Sequence, residues 1–297
     1  MAQLGFLRRL AGERAQLVLL IGAVGLLVLA LAGFYYFQST ASRNQSWLQT
    51  AKSLSEDVLE VGKIVDTVSR GLAPDFPVLL AYVEDYNDAV EGLAAGDPEL
   101  GIQGMPESVQ QEVAALSAAW AQMKVVADDV LVGETPYLRT EQNVINISTA
   151  VPEVMPFYEQ AAQKLAQRGA PPGQVLLASS QMMRLERLQN TSRRVLSEGR
   201  DAEALAAELD KAGKDFSRVN RQLLEGGGLD FAPLRDPSID TLIRGGATKF
   251  QGLEQAISDI SLDSSAVGKL QSSAASLDGE SANVIATAKA LEQALLD

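Results

Sequence analysis

The chain has 297 residues, a formal net charge of −13 at pH 7, and neither cysteine nor histidine. The missing residue types exclude thiol nucleophiles, disulfides and zinc sites built on cysteine or histidine ligands. The negative charge and the aromatic content of 5% argue against a nucleic-acid partner, which requires a basic face and rings that stack on bases. The sequence contains no phosphate-binding loop, dinucleotide fingerprint or nucleophile elbow. We therefore expect no catalytic residue, no cofactor and no metal site, and a protein that is not an enzyme.

An uncharged, apolar stretch lies near the amino terminus, at residues 17–37. About 20 helical residues cross a hydrocarbon core roughly 30 Å thick, so this stretch predicts a transmembrane helix. Arg8, Arg9 and Arg14 precede it, and the positive-inside rule then places residues 1–16 in the cytoplasm. The remaining chain is expected in the periplasm, anchored to the bacterial inner membrane. A cleaved signal peptide is the alternative, although its apolar core usually has only about 7–15 residues.

The chain beyond residue 40 repeats its apolar and glycine positions at a constant offset in residue number. This offset, which equals 130, relates Trp120 to Phe250 and Gly96 to Gly226. Further pairs at the same offset are Leu79 and Leu209, Tyr86 and Phe216, Val109 and Ile239, and Val154 and Val284. A period this long is typical of a duplicated domain rather than of a solenoid, whose repeats have roughly 20–50 residues. We interpret the sequence as two copies of one module, at residues 40–168 and 169–297.

Each copy is predicted to contain four helices, because apolar residues recur at spacings of three and four positions between Gly and Pro breakers. The predicted helices are 43–72, 76–95, 107–132 and 137–168 in the first copy, and 174–199, 202–225, 237–261 and 264–296 in the second. The expected fold is therefore all-α, with one N-terminal transmembrane helix followed by two tandem four-helix-bundle modules.

The first predicted helix after the apolar stretch carries a regular seam of five apolar residues. Leu54, Val58, Val61, Val65 and Val68 follow one another at spacings of 4, 3, 4 and 3. Such a heptad pattern is typical of coiled coils and four-helix bundles. We predict that the seam packs either inside its own bundle or in a homodimer with parallel first helices.

A cluster of arginines stands out in this acidic chain, at Arg184, Arg187, Arg193 and Arg194. Arg187 and Arg194 are seven positions apart and therefore share one helix face. Clustered guanidinium groups bind small anions through charge-assisted hydrogen bonds. We take Arg184, Arg187 and Arg194 as candidate anion-binding residues, with pairing to neighbouring glutamates as the structural alternative.

The order and spacing of several short motifs resemble the amino-terminal sensory part of the type IV pilus methyl-accepting chemotaxis proteins, the PilJ-like receptors. The motifs are Gly96-Asp97, Pro106-Glu107-Ser108-Val109, Ala127-Asp128-Asp129-Val130-Leu131, Leu185-Glu186-Arg187 and Asp215-Phe216. The resemblance implies an inner-membrane receptor that controls twitching motility, with pilin as one candidate stimulus. It also implies a cytoplasmic region, absent from this chain, that binds an adaptor and a kinase. We therefore expect the chain to be a fragment of a longer receptor.

Related nitrate-responsive receptors bind an anion through an arginine in a helix, and in this family the first outer helix often reads Leu-Ser-Gln-Arg. The matching positions here are Leu54-Ser55-Glu56-Asp57, where no arginine is present. This departure argues against a nitrate-type site in the first copy, whereas the second copy has Arg187. Two alternatives remain open: a small-anion sensor module of a histidine kinase or chemoreceptor, and a membrane-anchored envelope scaffold.

Overall fold

The structure, a computed structural model, describes residues 45–68, 72–97, 102–226 and 236–296. In these ranges no helix has both the length and the apolar composition that a membrane span requires. The expected fold is therefore corrected on this point. The stretch 17–37, where the transmembrane helix was expected, lies outside the described residues, as do residues 1–16.

The described chain is built almost entirely of α-helices. The helices are α1 (45–68), α2 (Phe76–Ala95), α3 (Gln110–Val132), α4 (Glu134–Gln167), α5 (Pro172–Ser197), α6 (Ala202–Glu225) and α7 (Pro237–Leu296). Short 3-10 turns at Glu107–Val109 and Gly199–Asp201 precede α3 and α6. Two short antiparallel strands, β1 (Gly96–Asp97) and β2 (Ile102–Gln103), form the only sheet of the described residues, with Gly96 opposite Gln103.

Glycine ends α2 and α6 in the same way. Gly96 and Gly226 have φ values of 83° and 77°, in the left-handed region that glycine adopts without a side-chain clash. Their backbone N–H groups donate to the carbonyls of Gly92 and Gln222, respectively. These interactions satisfy carbonyls that the helix ends would otherwise leave unpaired. The two copies therefore share a local ending as well as an apolar pattern.

The second half of the chain contains one helix where two were expected. The sequence predicted separate helices at 237–261 and 264–296, but α7 runs without a break over 60 residues. No Gly or Pro lies at Leu262 or Asp263, so nothing in the backbone favours a turn there. In the first copy only Gly133 separates α3 from α4, and its φ of −75° and ψ of −6° lie close to helical values.

The long helix α7 runs antiparallel beside α3 and α4. Lys269 Nζ lies 2.8 Å from Asp129 Oδ1 of α3, and Lys249 Nζ lies 2.8 Å from Glu153 Oε2 of α4. The carboxyl-terminal half of α7 therefore packs on α3, and its amino-terminal half packs on α4. Neither copy contains a tight turn between its third and fourth helices that would let them fold back on each other.

Two four-helix bundles result, and each takes helices from both sequence copies. Bundle A contains α1, α2, α3 and the second half of α7, from residue 264 onward. Bundle B contains α4, α5, α6 and the first half of α7. The expectation of two tandem, self-contained four-helix-bundle modules is thus wrong, because the fourth helices are exchanged between them.

Equivalent aromatic pairs mark the cores of the two bundles. Tyr86 and Trp120 have ring centroids 4.2 Å apart at an interplanar angle of 33°. Phe216 and Phe250, at the same positions in the second copy, are 4.0 Å apart at 33°. Buried aromatic pairs of this kind add to the hydrophobic free energy of burial. The duplication seen in the sequence is therefore also a duplication of core packing between α2 and α3 and between α6 and α7.

Candidate functional site

The five seam residues of α1 face the interior of bundle A. Leu54, Val58, Val61, Val65 and Val68 have between 0% and 3% of their surface exposed in the single chain. Val65 also lines a cavity together with Ala274 of α7, which places the seam against the other helices of the same bundle. A second chain has no access to these side chains while bundle A stays folded.

Two of the three candidate arginines are bound to carboxylates. Arg187 donates from Nε and Nη2 to Glu208 Oε1 of α6, at 3.1 Å and 2.6 Å. Arg194 donates from Nε and Nη2 to the two oxygens of Glu198, both at 2.9 Å. These hydrogen bonds lower the pKa of Glu208 and of Glu198. Both ion pairs lie on the surface, where such pairs contribute little to stability.

Arg184 differs from the other two arginines, since its only hydrogen bond within the described residues is to the hydroxyl of Ser180. Burial, together with the nearby positive charge of Arg218, lowers the pKa of Arg184. A negatively charged ligand beside these two guanidinium groups would relieve their repulsion. The carboxylate of Asp215 already offsets part of it, because it lies 3.1 Å from Arg218.

The Arg184 guanidinium lines a surface groove of about 300 Å³ between α5 and α6. Ser180, Met183, Arg187, Ala212 and Asp215 form the rest of its lining. The structure thus brings Arg184 and Arg187 together at one groove and leaves Arg194 outside it. Arg184 is the least satisfied donor of this groove, and its guanidinium is the group there that suits a small anion.

A second polar site, which the sequence did not reveal, lies where the bundles join. Arg139 at the start of α4 donates from Nε to Asp263 Oδ2 of α7 at 2.6 Å, and from Nη2 to Oδ1. Asp263 is only 4% exposed, so it depends on this partner for compensation of its charge. By the offset that relates the two copies, Asp263 occupies the position of Gly133, the residue between α3 and α4.

Three further polar groups near this ion pair are buried without a hydrogen-bond partner among the described residues. They are the hydroxyls of Tyr137 and Thr140 and the side-chain N–H₂ of Asn143. Unsatisfied buried polar groups cost free energy and mark places where packing is not optimal. The apolar seam of α4, followed backward from Val144 in steps of four and three, reaches Thr140 and Tyr137. Two polar residues at these apolar positions were the sign in the sequence that the site exists. We call Arg139, Asp263 and the three unpartnered groups the joint between the bundles.

A separate cavity of about 490 Å³ opens between α1, α7 and the end of α5. Its lining comes from α1, the turn between α5 and α6, and the middle of α7, and includes Asp66, Glu198, Asp201, Gln271 and Asp278. Gln271 donates from Nε2 to the carbonyl of Leu196, which ties α7 to the end of α5. The described residues contain no group of three or more Asp or Glu side chains arranged to hold a metal ion.

No protein-family model matches the chain. Over 219 residues, 73% of its length, the chain is 23% identical to PilJ of Pseudomonas aeruginosa. Over 221 residues it is 26% identical to AlkN of Alcanivorax borkumensis, which is named as a methyl-accepting chemotaxis protein. The chain matches only 32% of the length of PilJ and 30% of that of AlkN, so it spans about a third of these relatives. The similarity supports, at this modest identity, a relationship to PilJ-like and methyl-accepting chemotaxis proteins.

Proposed function

We propose that this chain is the stimulus-receiving part of a chemoreceptor-type signalling protein that controls twitching motility driven by type IV pili. The similarity to PilJ and to a methyl-accepting chemotaxis protein supports the receptor class. The pilus-specific role is the finer part of the proposal. It rests on the motif resemblance and on the name of one relative.

The observation that carries the proposal is the continuity of α7 through both bundles. Ile243 is buried in bundle B and Leu277 in bundle A, and both belong to this single helix. A packed helix cannot shift in one bundle without moving its side chains in the other, because protein interiors are close-packed. A stimulus that displaces α7 in one bundle would therefore be transmitted to the other.

In this proposal the polar joint between the bundles is the element that adopts two arrangements. It comprises the ion pair of Arg139 and Asp263, which links α4 to α7, and the unpartnered polar groups of Tyr137, Thr140 and Asn143 on α4. A stimulus shifts such an equilibrium only if it binds the two arrangements with different affinity. In this proposal, the signal is a small sliding or rotation of α7 that is accommodated at the joint.

The remaining parts of the proposal concern location and partners. In this proposal the helical region lies in the periplasm, at the bacterial inner membrane. It forms a homodimer that receives pilin or another stimulus. Output passes to an adaptor and a kinase, and the chain itself catalyses no reaction. Protease digestion of spheroplasts tests the location, since a periplasmic chain is cleaved in them whereas a cytoplasmic control protein is protected.

A hybrid receptor tests the signalling role. The full chain, fused to the kinase-control region of a characterised chemoreceptor, should regulate kinase activity. Replacement of both joint residues, Arg139→Met with Asp263→Leu, should shift the basal kinase activity. The exposed Lys289→Met change in α7 should not. If the joint variant and the unmodified hybrid give the same kinase activity with every stimulus, transmission through the joint is ruled out.

Capture of partners from cell envelopes tests the pilus-specific part separately. The full chain is used as bait, and bound proteins are identified by mass spectrometry. Recovery of the major pilin above a control bait supports contact with the pilus as the stimulus. Envelopes that contain pilin but yield none contradict that part of the proposal and leave the hybrid-receptor result standing.

One observation favours a second candidate, a small-anion sensor. Arg184 is partly buried, has no carboxylate bound to it among the described residues and lies beside the positive charge of Arg218. Calorimetry with nitrate and related anions tests this candidate. Binding that Arg184→Ala abolishes and Arg194→Ala retains would support it. No heat of binding from the unmodified chain would exclude it.

A further inference from the structure

A surface groove runs between α6 and α7 in bundle B. It consists of two adjoining parts, with volumes of about 410 Å³ and about 330 Å³, whose linings share Ser217, Arg221 and Glu254. Gly213 and Ile257 form the apolar floor of the larger part. A Cβ at residue 213 would lie 3.0 Å from Ile257 Cδ1, so a larger residue there would displace this floor. The groove thus combines charged walls with an apolar floor, as small-molecule sites do.

Two opposite charges line this groove without neutralising each other. Arg221 of α6 forms no ion pair or hydrogen bond within the part of the chain that the structure describes. Glu254 of α7 accepts one hydrogen bond at Oε1, from Ser217 Oγ at 2.6 Å, and has no cationic partner among the described residues. Its second oxygen, Oε2, is unused. The groove therefore offers one free cation and one free carboxylate oxygen.

The other basic residues of the lining are already neutralised. Lys214 lies 2.6 Å from Asp210, and Arg218 lies 3.1 Å from Asp215, all within α6. A ligand that bound to them would have to compete with these ion pairs. Arg221 is therefore the cation of this groove that is available to a ligand.

The position of Ser217 determines how far apart the two free charges lie. Ser217 and Arg221 are four positions apart on α6, which places them on one face with a rise of about 6 Å between them. Because Ser217 holds Glu254, this carboxylate lies about one helical turn from the backbone of Arg221. One small molecule that carries both complementary charges can bridge them.

A buried amide supplies a third polar group. Asn220 lines the smaller part of the groove and is only 5% exposed. Its Oδ1 accepts hydrogen bonds from Tyr158 and Gln181, whereas its Nδ2 donates none within the described residues. Gln181 fixes this orientation, because its Nε2 also donates to a backbone carbonyl and must therefore face an oxygen of Asn220. An acceptor held in the groove would complete the hydrogen bonding of the amide.

The equivalent positions of the first copy lack this combination. Val90 stands where the second copy has Asn220, so the buried amide is missing. The counterpart of Glu254 is Lys124, which is already paired with Asp128 at 2.9 Å. The polar groups described above are thus a property of bundle B and not of the duplicated fold.

We propose that the groove between α6 and α7 binds a free α-amino acid with an aliphatic side chain. The ligand carboxylate accepts hydrogen bonds from the Arg221 guanidinium and from Asn220 Nδ2, and the ligand ammonium group donates to Glu254 Oε2. The aliphatic side chain lies on Ile257. A simple anion fits less well, because Glu254 and Glu225 in the same lining would repel it.

The inference goes beyond the proposed function and does not depend on it. The site differs from the groove of Arg184, which lies between α5 and α6 and was considered above for an anion. It is complete within one chain and needs no second copy. A bound ligand would join α6 to α7, the helix that passes through both bundles.

Calorimetric titration of the full chain with L-leucine tests the proposal, because leucine carries a carboxylate, an ammonium group and an aliphatic chain. Three further probes each lack one of these parts. Isocaproate lacks the ammonium group, isoamylamine lacks the carboxylate, and glycine lacks the aliphatic chain. Leucine should bind, and each of the other three should bind about tenfold or more weakly.

Two substitutions assign the charges. Arg221→Gln should weaken the binding of leucine about tenfold or more and leave isoamylamine binding no weaker, since that probe has no carboxylate. Glu254→Gln should weaken leucine binding similarly and leave isocaproate binding no weaker. Lys211→Gln and Glu203→Gln remove exposed charges of α6 outside the groove, and these controls should bind leucine normally.

Three outcomes overturn the proposal. The first is no heat of binding from leucine, and the second is isocaproate that binds as tightly as leucine, which would indicate a site for anions only. The third is leucine binding that neither Arg221→Gln nor Glu254→Gln weakens, which would place the site elsewhere. The comparison of probes uses only the unmodified chain, so it decides the proposal even if a variant unfolds.

Discussion

Tyr158 donates its hydroxyl proton to Asn220 Oδ1 at 2.7 Å, inside the core of bundle B. Tyr158 belongs to the first sequence copy and Asn220 to the second, so this buried hydrogen bond joins the two copies. Gln181 Nε2 donates to the same oxygen at 2.9 Å and to the carbonyl of Phe216 at 3.0 Å. The network fixes α4, α5 and α6 in one arrangement, because a different register would leave buried polar groups unpaired.

Removing the Tyr158 hydroxyl should weaken the fold. Tyr158→Phe loses one buried hydrogen bond, and we expect the free energy of unfolding to fall by about 1 kcal/mol. The matched control is Tyr86→Phe, because the hydroxyl of Tyr86 is buried and has no partner among the described residues. That change should be neutral or stabilising. Urea unfolding of both variants checks the pair, and equal destabilisation would contradict the assigned roles.

Two glycines of α7 should respond to alanine in opposite ways. A Cβ at Gly246 would lie 2.7–2.9 Å from ring and hydroxyl atoms of Tyr158, so Gly246→Ala should destabilise the chain by about 1–3 kcal/mol. A Cβ at Gly252 would meet nothing within 4 Å. Gly252→Ala should therefore stabilise the helix by about 0.5–1 kcal/mol. Thermal unfolding of the two variants distinguishes these signs, and a stabilising Gly246→Ala would refute the close packing of α7 on α4.

The local structure of this chain could be read from its sequence, but the partners of its helices could not. The predicted helices 76–95 and 202–225 coincide with α2 and α6, because Gly and Pro punctuate those segments. The seams of the two copies have the same spacing, so the third helix of one copy fits either fourth helix equally well. The pattern alone therefore cannot distinguish the exchanged arrangement from a self-contained one.

The connections decide between those arrangements. Gly133 and Pro136 do not produce a tight turn between α3 and α4, because Gly133 is close to helical and Pro136 lies in the first turn of α4, where a missing N–H costs nothing. The clustering of the candidate arginines is visible in the sequence, but the ion pair of Arg187 with Glu208 depends on how α5 packs on α6. The joint at Arg139 and Asp263 was missed, because its two residues are 124 positions apart.

Single and double substitutions at the joint should change the free energy of unfolding by different amounts. Arg139→Met leaves the nearly buried carboxylate of Asp263 without a partner and should lower the free energy of unfolding. Adding Asp263→Leu removes that uncompensated charge, so the double variant should be more stable than Arg139→Met alone. Urea unfolding of the four members of the cycle measures the coupling. A double variant that is less stable than Arg139→Met would contradict a dependence of Asp263 on Arg139.

The stability of bundle A should change with pH through Asp57. Burial, and to a smaller degree the charges of Asp85, Glu56 and Glu60, raise the pKa of Asp57 above its usual 3.8. The folded state therefore binds this proton more tightly than the unfolded state, and ionised Asp57 opposes folding at neutral pH. Asp57→Asn should raise the urea midpoint at about pH 7. The gain should fade as the pH falls through the folded pKa toward 3.8 and be absent at about pH 3; an equal gain at both pH values would exclude ionisation as the cause.

The exchange of the fourth helices between the two bundles depends on the unbroken course of α7. A distance between two spin labels on α7 tests this continuity most directly. The chain has no cysteine, so Thr248→Cys and Ala282→Cys give two labelled sites at exposed positions of α7. A continuous helix separates these positions by about 50 Å, at roughly 1.5 Å per residue. Pulsed electron spin resonance should find a narrow distribution near that distance. A helical hairpin that folds back near residue 263 would bring the labels to within about 20 Å, because the axes of packed helices are only about 8–10 Å apart. Such a short distance would contradict the exchanged bundles.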